Sequence, residues 1–170
     1  MKVLIVVDMQ NDFINGSLGT REAEAIVGNV EKKIREWDGL VIATQDTHSK
    51  NYLDTQEGRN LPVEHCIEGS DGWQIHPVIK AALTEKKAQS VCKPTFGSVA
   101  LAMMLVQCGV SEIHLVGLCT DICVVSNALL LKANMPEVPI YVDSSCCAGV
   151  TPAKHEAALE TMKSCQINIL

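Results

Sequence analysis

The sequence has no apolar run of the roughly 18 residues that a membrane-spanning helix needs. It also lacks a basic excess, since 14 lysines and arginines stand against 20 aspartates and glutamates, for a net charge of -6. Proteins that bind nucleic acid neutralise phosphates with a stripe of positive charge, and this sequence has none. These absences argue against both a membrane protein and a nucleic-acid binder.

An export signal is absent as well. The short apolar run after Met1 meets Asp8 and has no small-residue cleavage site. We therefore expect a cytoplasmic protein whose eight cysteines are reduced, and most of these cysteines are expected to be small core residues. A secreted disulfide scaffold is the alternative that this context disfavours.

What is present is the composition of an ordinary globular protein. The chain has 170 residues, of which 47% are hydrophobic and 20% charged. This length favours one domain, residues 1–170, with room for a substantial core. No repeat, low-complexity tract or linker divides the chain.

Short apolar runs alternate with longer helical patterns along the whole chain. The runs cover residues 3–7, 40–43, 90–92, 113–118, 140–142 and 167–170. Apolar runs without polar alternation are typical of strands that are covered on both faces. The alternation predicts an α/β protein with a three-layer, Rossmann-like fold, in which helices cover both faces of a six-stranded parallel sheet.

Four helices are predicted between these strands. An apolar stripe runs from Ala23 to Trp37, and residues 152–165 form an amphipathic pattern with Pro152 in its first turn. Residues 98–108 and 121–133 are apolar nearly all round, so we expect both of those helices to be largely buried.

One polar, aperiodic segment, residues 46–75, interrupts this rhythm. A loop of this length inside a compact domain is usually functional. In sheets of this kind, sites form at the carboxyl ends of the strands. This rule directs attention to Asp8, Asp46, Lys93 and the turn from Leu118 to Cys123.

Cys123 is the strongest candidate for a nucleophile. Thr120 is a good helix N-cap, which places Cys123 in the first turn of a helix. Unpaired N–H groups and the helix dipole there favour a thiolate. The alternatives are that Cys123 only packs in the core, or that Cys119 is the nucleophile. Cys92 is expected to point away from its neighbour Lys93.

Asp8 and Lys93 each end an apolar strand. By itself Asp8 is explained by capping a turn, and Lys93 by lying on the surface. Together with Cys123 they form a coherent set, because the lysine cation favours a thiolate and the aspartate transfers protons.

The polar segment also contains metal-binding residue types. Asp46 and His48 are two residues apart, and Glu57 and His65 follow. Carboxylate oxygens and imidazole nitrogens are common ligands of zinc, manganese and iron, although loop residues of these types need no metal.

At this point the sequence resembles the isochorismatase-like cysteine hydrolase superfamily, within it the nicotinamidase-related branch. The resemblance covers essentially the whole chain. The most specific match is GLCTDICV, residues 117–124, and the matches at VDMQNDF, residues 7–13, and KPTFGS, residues 93–98, support it.

The resemblance implies a catalytic triad of Asp8, Lys93 and Cys123. It implies a cis peptide between Leu118 and Cys119, with an oxyanion hole formed by the N–H groups of Cys119 and Cys123. The resemblance also implies one divalent metal ion, zinc with manganese or iron as alternatives, bound by Asp46, His48, Glu57 and His65. It further implies that Phe13 and Leu118 contact the substrate.

The implied activity is that of a metal-dependent cysteine amidohydrolase, which converts a small amide to an acid and ammonia through a thioester. A homo-oligomer is also implied.

Where the branch places a second aromatic residue, near Leu61, this chain has none, and Trp73 is the available substitute. The alternative is a family hydrolase that acts on a carbamoyl amide or on the vinyl ether of isochorismate. A nucleotide- or flavin-binding module is disfavoured, because the G-x-G-x-x-G spacing is missing.

Overall fold

The computed structural model describes all 170 residues, and none of its helices is both long enough and apolar enough to span a bilayer. Six strands form one parallel sheet in the order β3-β2-β1-β4-β5-β6. The strands are β1 (Lys2–Val7), β2 (Leu40–Asp46), β3 (Gln89–Lys93), β4 (Glu112–Leu118), β5 (Ile140–Ala148) and β6 (Asn168–Ile169). The predicted six-stranded parallel sheet is confirmed.

Helices cover both faces of the sheet, as predicted. They are α1 (Asn11–Ile14), α2 (Arg21–Glu36), α3 (Gln56–Asn60), α4 (Pro77–Glu85), α5 (Val99–Gln107), α6 (Val125–Asn134) and α7 (Pro152–Ser164). A 3₁₀ turn (Tyr52–Asp54) precedes α3, and a π-helical turn (Thr120–Val124) precedes α6. One core contains α1, α2 and α4, and the other contains α5, α6 and α7.

The central strand β1 shows why the apolar runs do not alternate with polar residues. Its residues Val3, Ile5 and Val7 enter one core, and Leu4 and Val6 enter the other. All five side chains are fully buried. A strand with cores on both sides has no solvent face, so its sequence has no polar positions.

Two elements differ from the sequence patterns. β5 continues to Ala148 rather than ending near Val142, because its second half stays paired with β4 beyond an irregularity in register. Helix α4 was not predicted at all. The available signs were Pro77 in its first turn and the buried side chains of Ile79, Ala82 and Leu83, which have helical spacing.

The expectation that residues 98–108 form a largely buried helix was wrong. One face of α5 packs on the sheet, while Val99, Met103 and Val106 are 64%, 51% and 47% exposed. The physical reason is position, because α5 lies in an outer layer and no element covers its far side. A helix whose residues are apolar on every side is therefore not necessarily buried.

The expectation for the cysteines is correct for only half of them. All eight are free thiols, but Cys92, Cys108 and Cys165 are exposed and Cys119 is half-buried. The remaining four are buried, at positions 66, 123, 146 and 147.

The strand order places the candidate residues at one edge of the sheet. The chain runs outward from β1 to β3 in one direction and from β4 to β6 in the other, so the direction of winding changes between β1 and β4. At such a point the loops leave toward opposite faces and a crevice forms beyond the carboxyl ends of the strands. Asp8 follows β1, Asp46 ends β2, Lys93 ends β3 and Cys119 follows β4.

Gly117 lets β4 approach β1 closely at this crevice. It pairs with Val7 and has a φ of 117°. A Cβ atom at this position would lie 2.1 Å from the Val7 carbonyl oxygen, which is a backbone atom and cannot rotate away. Only glycine fits here without moving a strand.

We therefore expect Gly117→Ala to lower the free energy of unfolding by about 2–5 kcal/mol, through overpacking and backbone strain. Gly28→Ala is the matched control. Gly28 lies inside α2 with no atom near its missing Cβ, so alanine there should stabilise the protein by roughly 0.5–1 kcal/mol. Urea unfolding followed by circular dichroism measures both changes. Equal stability of the two variants would contradict the close approach of β4 to β1.

Candidate active site

Lys93 lies at the centre of a cluster of charged and polar side chains. Its side chain is 1% exposed. The Nζ atom is 2.6 Å from Asp8 Oδ2, 3.3 Å from Asp46 Oδ1 and 3.4 Å from Cys123 Sγ. A buried ammonium is stable only with such partners. The structure thus brings together the three residues predicted as a triad.

The neighbours of Lys93 keep it charged. Burial acts against the ammonium form, but the adjacent negative groups, Asp8 first among them, outweigh burial and raise the pKa of Lys93 above its usual value. The surface location considered for this lysine is wrong. Cys92, by contrast, is exposed on the opposite side of the strand, as alternation predicted.

Asp8 is held in place by the neighbouring strand β2. Its backbone has a φ of 46°, in the left-handed region that few non-glycine residues adopt. Its N–H donates to the carbonyl of Thr44 over 3.2 Å, and the Thr44 hydroxyl donates to Asp8 Oδ1 over 2.6 Å. Burial raises the pKa of Asp8, so its carboxylate is a stronger proton acceptor than an exposed one. The sequence analysis missed Thr44, although it lies on the same face of β2 as Asp46.

The surroundings of Cys123 act against the predicted preference for the thiolate. Burial, with the negative charge of Asp8 next, raises the pKa of Cys123 well above that of a free thiol. Lys93 acts in the opposite direction without outweighing them. Burial also raises the pKa of Cys119 to about 12. Burial therefore favours the thiol form of both sulfurs, and contact with Lys93 distinguishes Cys123.

The turn between β4 and α6 carries both cysteines. The peptide between Leu118 and Cys119 is cis, as the resemblance implied. The prediction of Thr120 as N-cap is wrong, because Cys119 occupies the cap position without a side-chain cap and the Thr120 hydroxyl pairs with Nδ1 of His155. The N–H group of Cys119 donates to no acceptor within the protein, so it is free to bind a ligand.

Four residues of the segment 46–75 converge beside this cluster. One ligand atom from each of Asp46, His48, Glu57 and His65 lies within 4.8 Å of the others. His48 Nε2 is 2.9 Å from Asp46 Oδ2 and 3.6 Å from Glu57 Oε1. His65 Nε2 is 3.7 Å from each of the same two oxygens. Two carboxylates and two imidazoles at these separations match the donor set of zinc, manganese or iron.

The chemistry of these side chains fits a metal. His65 pairs through Nδ1 with the carbonyl oxygen of Val63 over 2.8 Å, which fixes Nε2 as the free lone pair. Burial raises the pKa of Glu57. Burial also opposes protonation of His48, but the hydrogen bond and negative charge of Asp46, together with the charge of Glu57, outweigh burial and raise the pKa of His48. A divalent cation satisfies the same oxygens as the proton on His48.

Gln10 fixes the backbone of Asp46 and was missed by the sequence analysis. Its side chain is fully buried. Nε2 donates to the carbonyl of Asp46 over 2.9 Å and also to the carbonyl of Trp73, while Oε1 accepts from the Asp46 N–H over 2.8 Å. The sign of this role in the sequence was its place in the VDMQNDF match.

A cavity of about 270 Å³ opens onto both sets of residues. It is lined by Phe13, Leu18, Thr20, Asp46, Glu57, Leu61, His65, Phe96, Cys119, Ile122, Cys123, Val150 and Lys154. The chain contains only two phenylalanines, and both line this cavity.

Phe96 is therefore the second aromatic residue of the cavity, which the sequence did not predict, and Trp73 does not line it. The Trp73 indole donates to Thr47 Oγ1 and lines a different depression. The side chain of Leu118 packs in the core rather than in the cavity, unlike that of Phe13. The position of Phe96, three residues beyond Lys93, was the available sign.

The remaining histidines lie outside both groups of site residues. His114 stacks on Tyr141 with a centroid distance of 4.6 Å, and His76 precedes the first turn of α4. His155 contacts the turn that carries the cysteines, as described above.

Comparison with known proteins identifies the family. The Isochorismatase domain model matches residues 2–170. The nicotinamidase/pyrazinamidase of Mycobacterium tuberculosis is 30% identical, over 100% of this chain and 98% of that protein. The structure of the pyrazinamidase of Pyrococcus horikoshii in complex with zinc has a TM-score of 0.83 and 30% identity, covering 99% of this chain and 98% of that one. The pyrazinamidase/nicotinamidase of Streptococcus mutans has a TM-score of 0.88 with 23% identity, and each chain is covered fully.

The fold and these matches define a hydrolase of the isochorismatase class, and the chain belongs to the Isochorismatase domain family. Within that family it falls in the nicotinamidase-related branch.

The cluster generates a prediction about metal content. Protein purified without chelator is expected to carry about one equivalent of a divalent metal per chain. His65→Ala removes one of the four ligand atoms, so we expect its metal affinity to fall by roughly tenfold or more. Elemental analysis and titration against a coloured chelator give both quantities. His76→Ala, outside the cluster, is the control and should bind as the wild type does. Only trace metal in the wild-type protein would contradict the site.

Proposed function

We propose that this protein is a metal-dependent cysteine amidohydrolase of the nicotinamidase type, which hydrolyses a small aromatic amide to an acid and ammonia. One observation carries the proposal. The ammonium of Lys93 contacts both the carboxylate of Asp8 and the thiol of Cys123, beside a cluster of metal-binding side chains, and a single cavity reaches the thiol and the cluster. The names of the relatives at 30% identity support the same activity.

In the proposed mechanism Cys123 attacks and Asp8 transfers protons. Asp8 accepts the thiol proton as the sulfur bonds to the amide carbonyl carbon. The N–H groups of Cys119 and Cys123 hold the resulting oxyanion. Asp8 then returns the proton to the amide nitrogen, the carbon–nitrogen bond breaks, and ammonia leaves a thioester on Cys123.

The second half of the reaction reuses the same groups. Asp8 accepts a proton from water as the water oxygen bonds to the thioester carbon. The carbon–sulfur bond then breaks, the acid is released, and the proton returns to the sulfur of Cys123. Because the resting thiol has a raised pKa, deprotonation accompanies attack rather than preceding it.

Lys93 compensates the negative charge during these steps. Its ammonium contacts both the sulfur and the carboxylate, so it stabilises whichever of them is negative. The buried position strengthens this interaction relative to water.

The metal site has a binding role in this proposal. Asp46, His48, Glu57 and His65 would hold the ion, which as a Lewis acid accepts a lone pair from a ring nitrogen and so orients the substrate. We propose zinc, in line with the zinc complex of the Pyrococcus horikoshii relative; manganese and iron suit the same donors.

The apolar wall of the cavity supplies the remaining binding energy. We propose that Phe13 and Phe96 pack against the aromatic ring of the substrate, which needs flat apolar surfaces. Phe13 lies 5.5 Å from the His65 ring, between centroids, so a ring beside Phe13 is also near the metal ligands.

The alternative substrates fit less well. Hydrolysis of a vinyl ether does not need a thiol nucleophile, and the buried contact between Lys93 and Cys123 has no purpose in it. A carbamoyl amide does not need an aromatic wall. We further propose that residues 1–170 act as one domain in a cytoplasmic homo-oligomer. The exposed stripe of Val99, Met103 and Val106 on α5 is an apolar surface suited to such contacts.

Removal of the proposed nucleophile tests this function. Cys123→Ala is expected to lower ammonia release from nicotinamide or pyrazinamide by at least about a thousandfold, because Cys123 is the cysteine of the cavity that contacts Lys93. The fold should survive, since alanine is smaller than cysteine and equally apolar, and circular dichroism checks this.

Two matched variants accompany it. Cys92→Ala removes an exposed thiol on β3 and should retain full activity. Cys119→Ala removes the competing sulfur but keeps the N–H group, so most of the activity should remain. Full activity of Cys123→Ala would reassign the nucleophile, with Cys119 next in line. Release of ammonia only from small carbamoyl compounds in the wild-type screen would replace the proposed substrate.

A further inference from the structure

The turn that carries Cys123 is held by contacts from outside in addition to its own backbone hydrogen bonds. The N-cap position, Cys119, makes no side-chain cap bond. Thr120 is fully buried, and its hydroxyl lies 2.8 Å from Nδ1 of His155, in the first turn of α7. A hydroxyl both donates and accepts, so this bond exists whether or not His155 carries a second proton.

A second bond joins the same two segments. Asp121 Oδ1 accepts from the N–H of Val150 over 2.9 Å. Gly149 lies between the two segments. A Cβ atom there would lie 2.8 Å from the backbone nitrogen of His155 and 2.9 Å from Asp121 Oδ1. The start of α7 therefore packs against the turn at backbone distance.

The position of this contact along the chain gives it a consequence. Thr120 directly follows Cys119, whose N–H group is free, and it precedes Cys123 by less than one turn of helix. A shift of Thr120 changes the direction of that N–H group. The same shift moves the sulfur relative to Lys93 Nζ, now 3.4 Å away.

We propose that His155 is a positioning residue, which acts through Thr120 to hold the Cys119 N–H group and the Cys123 sulfur in the geometry for attack. The inference deepens the proposed function and rests on it for its catalytic consequence. His155 itself does not line the cavity.

The first experiment compares His155→Ala with His155→Asn. Alanine removes the partner of Thr120, so we expect kcat for nicotinamide to fall about tenfold with KM within about twofold, because misplacement affects the transition state more than binding. Asparagine places a polar atom near the position of Nδ1 and should restore most of kcat. Glu156→Ala, the next residue on α7, is the control. A purely structural role predicts a lower melting temperature with kcat unchanged, and that result would overturn the proposal.

A double-mutant cycle asks whether the effect passes through Thr120. Thr120→Val keeps the shape of the side chain but removes the hydroxyl. If His155 acts through this hydrogen bond, His155→Ala should cause little further loss of kcat in the Thr120→Val background. Full additivity of the two losses would show that the residues act separately and would refute the positioning role.

A measurement without substrate separates this inference from the proposed function. Iodoacetamide alkylation of Cys123, followed by mass spectrometry, reports how the sulfur is placed near Lys93 and Asp8. We expect a rate several-fold lower in His155→Ala and restored in His155→Asn. That pattern in a protein that hydrolyses no amide would refute the proposed function but support the positioning role. Unchanged alkylation beside normal amide hydrolysis would refute the positioning role alone.

Discussion

The rest of the site depends on one buried ammonium. Lys93 is almost inaccessible to solvent, yet its pKa is raised, because two carboxylates and a thiol replace its water shell. An isolated charge at this position would cost several kcal/mol. Its partners therefore cannot be lost one at a time without leaving another group uncompensated. This mutual dependence gives Asp8, Asp46 and Cys123 a fixed arrangement before any substrate arrives.

The sheet supplies these partners because parallel strands end at the same edge. Asp46 and Lys93 are opposite each other in the register of β2 and β3, and Asp8 follows the strand on the other side of β2. Cys123 comes from the far side of the point where the winding reverses. Residues more than 100 positions apart in sequence thus meet through strand order alone, and the loops need only to place the metal-binding side chains around them.

The sequence was sufficient to predict the sheet and the residues that come together in the site, because apolar runs and polar strand ends reflect burial directly. It was insufficient wherever the outcome depended on a neighbour from elsewhere in the chain. Thr120 is a residue type that commonly caps helices, but its hydroxyl pairs with the nearby His155 instead. Trp73 lies in the right loop, but its indole donates to Thr47 and its carbonyl accepts from the side chain of Gln10, so it stays outside the cavity, which Phe96 lines instead. The raised pKa of Cys123 follows the same rule. Burial raises this pKa more than Lys93 lowers it, and burial depends on the whole fold.

Asp46 has a different partner on each of its two carboxylate oxygens. One oxygen is 3.3 Å from Lys93 Nζ, and the other is 2.9 Å from His48 Nε2. The ammonium and an ion among the imidazoles would both be attracted to the Asp46 carboxylate, so such an ion would weaken the attraction between this carboxylate and the ammonium. Asp8 and the sulfur would then compensate more of the positive charge. The proposed metal site and the ammonium of Lys93 are thus linked through a single side chain. A substitution at Asp46 would therefore disturb the contact with the ammonium and the contact with the imidazoles at once.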